Sequence, residues 1–201
     1  VFFSSGGTVY GNNGVCPLTE DVLTNPISSY GVQKLTIEKL LYLYNYLYGL
    51  DYKIIRLANP YGPYQRPNGV LGVVSTFTYK ALKREKITVY GDGKVVRDFI
   101  YIEDAIKAIL NIANNNCQYN LFNIGCGYGT SIKELLDIIQ KTLSVDIDVE
   151  FTENRKADVS INYLDISRYE RVFGKLNPIS LSEGILRTAD FMRRFINNEG
   201  D

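Results

Sequence analysis

The chain opens on an apolar run at residues 1–3, closed by Ser4 and Ser5 and followed at once by the Gly6-Gly7 pair. That pattern predicts a buried strand over residues 1–5 running into a turn. A loop marked by Pro17, Asn25 and Pro26 comes next. Ser28 or Ser29 can then N-cap a helix that Gly49 would stop. Within it "LLYLYNYLYG" alternates like a strand, but Gln33, Lys34, Leu35, Glu38, Lys39 and Leu40 precede it with no turn signal between. Helix is therefore the reading. Residues 52–58 form an apolar run with Lys53 near its start and one Arg, the pattern of a parallel strand buried on both faces.

"NPYGPYQRPNG" reads as loop and 70–84 as helix. "ITVYGDGKVVRDFIYI" reads as strand, turn and strand around Asp92-Gly93. Over 103–111, Ala105, Ile106, Ile109 and Leu110 share one helical face. "YNLFNIG" is a short strand, and Ser131 caps a helix with Ile132, Leu135, Leu136 and Ile139 on one side. "DIDVEF" is a further strand, and 182–195 a last amphipathic helix. Alternating strands and helices predict an α/β fold with a mainly parallel sheet.

Composition narrows the function classes. Lys+Arg and Asp+Glu are both 22, so no basic excess argues for nucleic acid. The chain has no His, which removes Ser-His-Asp triads and His-based metal sites. Three Cys are too few and scattered for a disulfide framework or a zinc site, and no metal is expected. No apolar run reaches membrane-spanning length, and no signal peptide is visible. The expectation is a cytoplasmic protein in a reducing setting, with no membrane and no nucleic-acid partner.

Among candidate chemical groups, "SSYGVQK" is the sharpest. Tyr30 and Lys34 lie four apart, so a helix puts them on one face. A free phenol titrates near ~10, and an ammonium beside it favours the phenolate, which is a usable base toward a sugar hydroxyl. An ordinary exposed Tyr and Lys is the alternative. "NIGCGYGTSIKELL" imitates a dinucleotide-binding turn, but Thr130 stands where the third glycine of the spacing belongs. A plain strand-to-helix turn is the preferred reading. Arg97 and Arg155 would suit a diphosphate if they converged, because guanidinium matches phosphate bidentately.

Taken in order, "SSGGTVYG", "PISSYGVQK", "RLANPYGP", "ITVYGDGKVVRDFIYIED", "YNLFNIGCG" and "RKAD" resemble the extended short-chain dehydrogenase/reductase family. Within it they are similar to nucleotide-sugar epimerases of the UDP-glucose 4-epimerase type. The resemblance implies the C-terminal part of a Rossmann-type doubly wound parallel sheet plus a small α/β substrate-binding lobe. Residues 1–64 and 101–125 would belong to the NAD-binding domain, and 65–100 and 126–201 to the nucleotide-sugar lobe. The opening strand resembles the family's fifth, so the chain is expected to be part of a larger enzyme and inactive alone.

By the same resemblance Tyr30 is the base and Lys34 its partner. Ser4, Ser5, Tyr30, Lys34 and Pro60 would bind NAD. Asn59, Tyr90, Arg97, Arg155, Asp158 and Asn162 would hold a UDP-sugar, with Asn162 beside the sugar C2 substituent. The family's catalytic Ser/Thr aligns on Gly6, which leaves Thr8, and after it Ser5, to supply the hydroxyl. The implied activity is C4 epimerisation of a UDP-hexose or UDP-N-acetylhexosamine through a 4-keto intermediate, with a homodimer as the assembly. A 4,6-dehydratase or decarboxylase of the same family, and a non-catalytic binding fragment, are the rival readings.

Overall fold

In the computed structural model, which describes residues 1–12, 15–67, 72–153 and 159–196, the opening run is the strand β1 (Phe2–Ser5). The helix α1 (Ser29–Tyr48) follows. Ser28 caps it, its hydroxyl accepting from Gly31 N at 3.1 Å, and Gly49 ends it in the left-handed conformation at φ 68°. The alternating Tyr/Leu stretch is therefore helical, and Leu40, Leu43, Tyr46 and Leu47 on it stay exposed.

Residues 52–58 deliver β2 (Ile54–Leu57), the central strand of a parallel sheet. β1 lies on one side of it. β7 (Leu121–Ile124) lies on the other. Ile54, Ile55 and Arg56 are all buried, as expected for a strand covered on both faces.

The segment around Asp92-Gly93 does turn between strands, but the strands do not pair with each other. β4 (Ile87–Tyr90) pairs in parallel with β9 (Val149–Thr152). β5 (Val96–Arg97) runs parallel to β10 (Ile161–Asn162) and antiparallel to β8 (Thr130–Ser131). β6 (Phe99–Tyr101) pairs with β3 (Asn59–Tyr61). Two- and three-residue strands such as β3, β5, β8 and β10 are too short to show a period, so the sequence pattern passed over most of them.

Two apolar clusters support these sheets. One gathers Ile55, Ile100, Phe122 and Ile124 with α3 (Ile102–Asn114). The other gathers Val74, Ile87, Leu135 and Ile185 from β4, α2 (Val73–Lys83), α4 (Ile132–Leu143) and α6 (Leu181–Ile196). β6 serves both, because alternate side chains leave a strand on opposite faces. Phe99 and Tyr101 enter the second cluster, and Ile100 the first. Leu164 and Tyr169, from the region of α5 (Ser167–Phe173), pack in the first cluster, against the sheet rather than with α6. Ser131 caps α4 as expected, in a reciprocal box with Glu134. No described helix is long and apolar enough to cross a membrane.

Candidate active-site cleft

A cavity of about 720 Å³ opens where the end of β1, the start of α1, β3 and β5 meet. Ser5, Thr8, Tyr30, Asn59, Pro60 and Arg97 line it. Six of the residues singled out in the sequence, drawn from four separate segments, thus face one space. Tyr30 is half exposed there. Lys34, one turn along α1, holds its ammonium 5.5 Å from the centre of the Tyr30 ring. Its Nζ donates to the Phe3 carbonyl at 2.8 Å, which pins the dyad to β1.

Asn59 is set by the backbone of a neighbouring strand. Its Nδ2 donates to the Asp98 carbonyl at 2.8 Å and its own N–H to the same oxygen at 3.0 Å. Arg97 Nη1 donates to the carbonyls of Val96 at 2.8 Å and Val159 at 2.6 Å. Strand alternation sends the next side chain, Asp98, the other way, into full burial. Its carboxylate accepts from Cys126 N at 2.7 Å and Leu164 N at 3.2 Å. Burial pushes the Asp98 carboxyl above the usual carboxylate range, against the pull of those donors.

That carboxylate explains the glycine-rich decoy. A Cβ on Gly125 would collide with the Asp98 carboxylate. The turn is glycine because it beds a carboxylate of its own chain, and no room for a pyrophosphate is left in it. Burial also pushes the Cys126 thiol upward, so it is no ready nucleophile.

Other candidates stand elsewhere. Ser4 is buried with its hydroxyl donating to Glu38, not to the cavity. Tyr90 is half exposed at the end of β4, opposite Thr152. Asn162 is buried outside the cavity lining, its Nδ2 donating to the Gly6 carbonyl at 3.2 Å. Arg155 and Asp158 lie outside the described residues. Among the described residues no group of three or more His, Cys, Asp or Glu could hold a metal.

The missing hydroxyl at Gly6 has a steric cause. A Cβ there would point into the core, 2.5 Å from Leu164 Cδ1 and 3.2 Å from the Arg56 carbonyl. We predict that Gly6→Ser restores no function and destabilises the fold by about 1–3 kcal/mol, the range for overpacking a filled core. Thermal unfolding of the variant checks it. Ser5 and Thr8 both line the cavity, but Thr8 Oγ1 is buried and lacks a hydrogen-bond partner among the described residues.

The residues present fit the nicotinamide end of NAD. An ammonium has three donors, and the Phe3 carbonyl engages Lys34 through one of them. Tyr30 and Pro60 border the open space of the cleft.

Residues 1–125 match the NAD dependent epimerase/dehydratase family. A putative UDP-glucose 4-epimerase of Methanocaldococcus jannaschii is 40% identical over 193 residues, covering 96% of this chain and 62% of that protein. The crystal structure of UDP-glucose 4-epimerase from Thermotoga maritima with UDP-glucose superposes with a TM-score of 0.90 at 36% identity, covering 97% of this chain and 63% of that one. The UDP-N-acetylglucosamine 4-epimerase of Methanobrevibacter ruminantium, in complex with UDP-N-acetylmuramic acid, also gives 0.90, at 33% identity, over 96% and 62% of the two chains. The chain therefore spans somewhat under two thirds of the length of these relatives. A Tyr-Lys dyad on a helix beside a parallel sheet, a cleft floored by β3 and β5, and a match over most of the chain agree: this chain belongs to the NAD-dependent epimerase/dehydratase family.

Proposed function

We propose that this chain carries the base and the sugar-nucleotide pocket of a UDP-hexose or UDP-N-acetylhexosamine 4-epimerase. The observation that supports it most is the meeting of Tyr30, Ser5, Asn59 and Arg97 around one cavity. NAD, held at its nicotinamide end by Tyr30, Lys34 and Pro60, would supply hydride transfer to and from C4 of the sugar. The chain's residues do the rest. Tyr30 Oη takes the proton of the C4 hydroxyl, with the Lys34 ammonium 5.5 Å from the centre of its ring. Asn59 and Arg97 hold the diphosphate, about which the 4-keto sugar turns to present its other face. Apolar walls at Val73, Val74 and Phe99 limit the water beside it. Arg155 and Asp158 join this set as proposed substrate ligands. The same reading keeps a homodimer in a reducing compartment, and the exposed apolar residues of α1 suit such an interface.

The hydroxyl that shares the proton is Ser5 rather than Thr8. An oxygen sealed from solvent cannot touch a substrate atom, and Thr8 Oγ1 is sealed. Ser5→Ala should lower turnover about 10-fold or more, within the range for a positioned proton-transfer group. Thr8→Val should change it little. The reverse order would return the role to Thr8.

The deciding experiment supplies the complete gene product with NAD and, in turn, UDP-glucose, UDP-galactose, their N-acetylated counterparts and UDP-glucuronic acid, whose carboxyl is the one that could leave as carbon dioxide. Interconversion at C4 without loss of water or carbon dioxide is expected. Release of either would replace epimerisation with dehydration or decarboxylation, and no reaction with any of the sugars would leave a binding role only.

A further inference from the structure

The helix that carries the dyad is held to this chain by very little apolar contact. Of the 20 residues of α1, only Gly31 and Glu38 are buried. Glu38 follows Lys34 by four residues, as Lys34 follows Tyr30. The three side chains therefore run along one stripe of the helix. Consecutive residues of β1 meet that stripe: the Phe3 carbonyl takes Lys34 Nζ, and Ser4 Oγ donates to Glu38.

Glu38 has a second and stronger hold. Arg56, in the middle strand of the sheet, grips it as a fork: Nε donates to Oε1 at 3.1 Å and Nη2 to Oε2 at 2.7 Å. Both side chains are about 95% buried. Arg56 is itself fixed, with Nη1 donating to the Glu20 carbonyl at 3.4 Å and its guanidinium 4.7 Å from the centre of the Tyr10 ring. Tyr10 in turn donates to Asn123 Oδ1 at 2.6 Å, on β7. The network thus ties α1 to all three strands of the sheet.

Stability is a poor explanation for such a pair. Taking two charges out of water is costly, and well-packed apolar side chains of similar volume often serve as well. What the fork supplies is geometry, because a planar bidentate contact fixes both rotation and axial position. We propose that Glu38 and Arg56 are a positioning pair for the Tyr30–Lys34 dyad, setting the register of α1 against β1 so that the Tyr30 hydroxyl meets the sugar. This rests on the reading of Tyr30 as the base.

The test uses the complete gene product with NAD and the UDP-sugar that it turns over. Glu38→Met/Arg56→Met removes both charges together, and Arg56→Lys keeps the charge but loses the fork. Each variant is expected to lose on the order of 10- to 10²-fold in kcat, the scale of an ångström-sized misplacement. KM and the affinity for UDP should stay within about twofold, because Asn59 and Arg97 do not sit on α1. A double variant that unfolds leaves Arg56→Lys to decide. Parental kcat in a folded variant overturns the proposal, and so does a parallel loss of UDP affinity, which would mark a general loosening. An active Tyr30→Phe would instead remove the reading beneath it, so the two failures are told apart.

Discussion

Tyr30→Phe lowers turnover of the complete gene product by about 10²- to 10⁴-fold, the usual contribution of a positioned acid–base group, while the KM for the UDP-sugar and the affinity for UDP change little. The substitution deletes one oxygen from a half-exposed ring. The ring stays, and with it the face over which Lys34 holds its ammonium. Phe at this position also leaves the cap at Ser28 and the hydrogen bond from Lys34 to Phe3 untouched. What is lost is the group that takes the proton, and a group needed only in the transition state shows in kcat and kcat/KM equally. Steady-state kinetics with the sugar varied, read beside a UDP titration, measure both quantities. Turnover close to the parental value would require another base, and none of the other cavity side chains named above offers one at neutral pH.

Most of the cleft could be read from the sequence because its parts are local. Tyr30 and Lys34 are four apart, and Ser28 and Gly49 mark the two ends of their helix. Asn59 and Arg97 sit in short, distinctive segments beside strands. The features that escaped depend on which way a side chain points once sheets have stacked. The family's Ser/Thr position aligns on Gly6, which left the hydroxyl to Thr8 and after it Ser5, yet a Cβ at Gly6 would meet Leu164 and Thr8 Oγ1 is buried. The resemblance placed Asn162 beside the sugar, whereas in the structure its amide donates to the Gly6 carbonyl, outside the cavity lining.

Arg56 is the one charge of β2, but its partner lies a helix away, and no periodicity pairs a strand residue with a helix residue. The glycines at 125 and 127 resembled a phosphate loop because the demand is the same: close approach of an anion to backbone N–H groups. Here the anion is Asp98.

Arg97→Met weakens the binding of UDP to the purified chain by about 10- to 150-fold. The figure follows from the roughly 1.5–3 kcal/mol carried by a hydrogen bond to a charged group, at about 1.4 kcal/mol per factor of ten. Arg97 is aimed before any ligand arrives: the Val96 and Val159 carbonyls hold Nη1, and β5 is locked between β8 and β10. A pre-aimed guanidinium gives up little rotamer freedom on binding, so most of its attraction for a diphosphate appears as affinity. Lys cannot repeat that contact, since it lacks the planar fork, and Arg97→Lys should recover only part of the loss. Calorimetric titration with UDP at two salt concentrations checks the claim, because a partly exposed cation–phosphate contact weakens as salt rises. The two predictions also test each other. Tyr30→Phe should leave this titration unchanged, and Arg97→Met should raise KM more than it lowers kcat. If both variants shifted UDP affinity alike, the cleft would not divide into a reacting end at α1 and an anchoring end at β5, and the assignment of Arg97 to the diphosphate would be wrong.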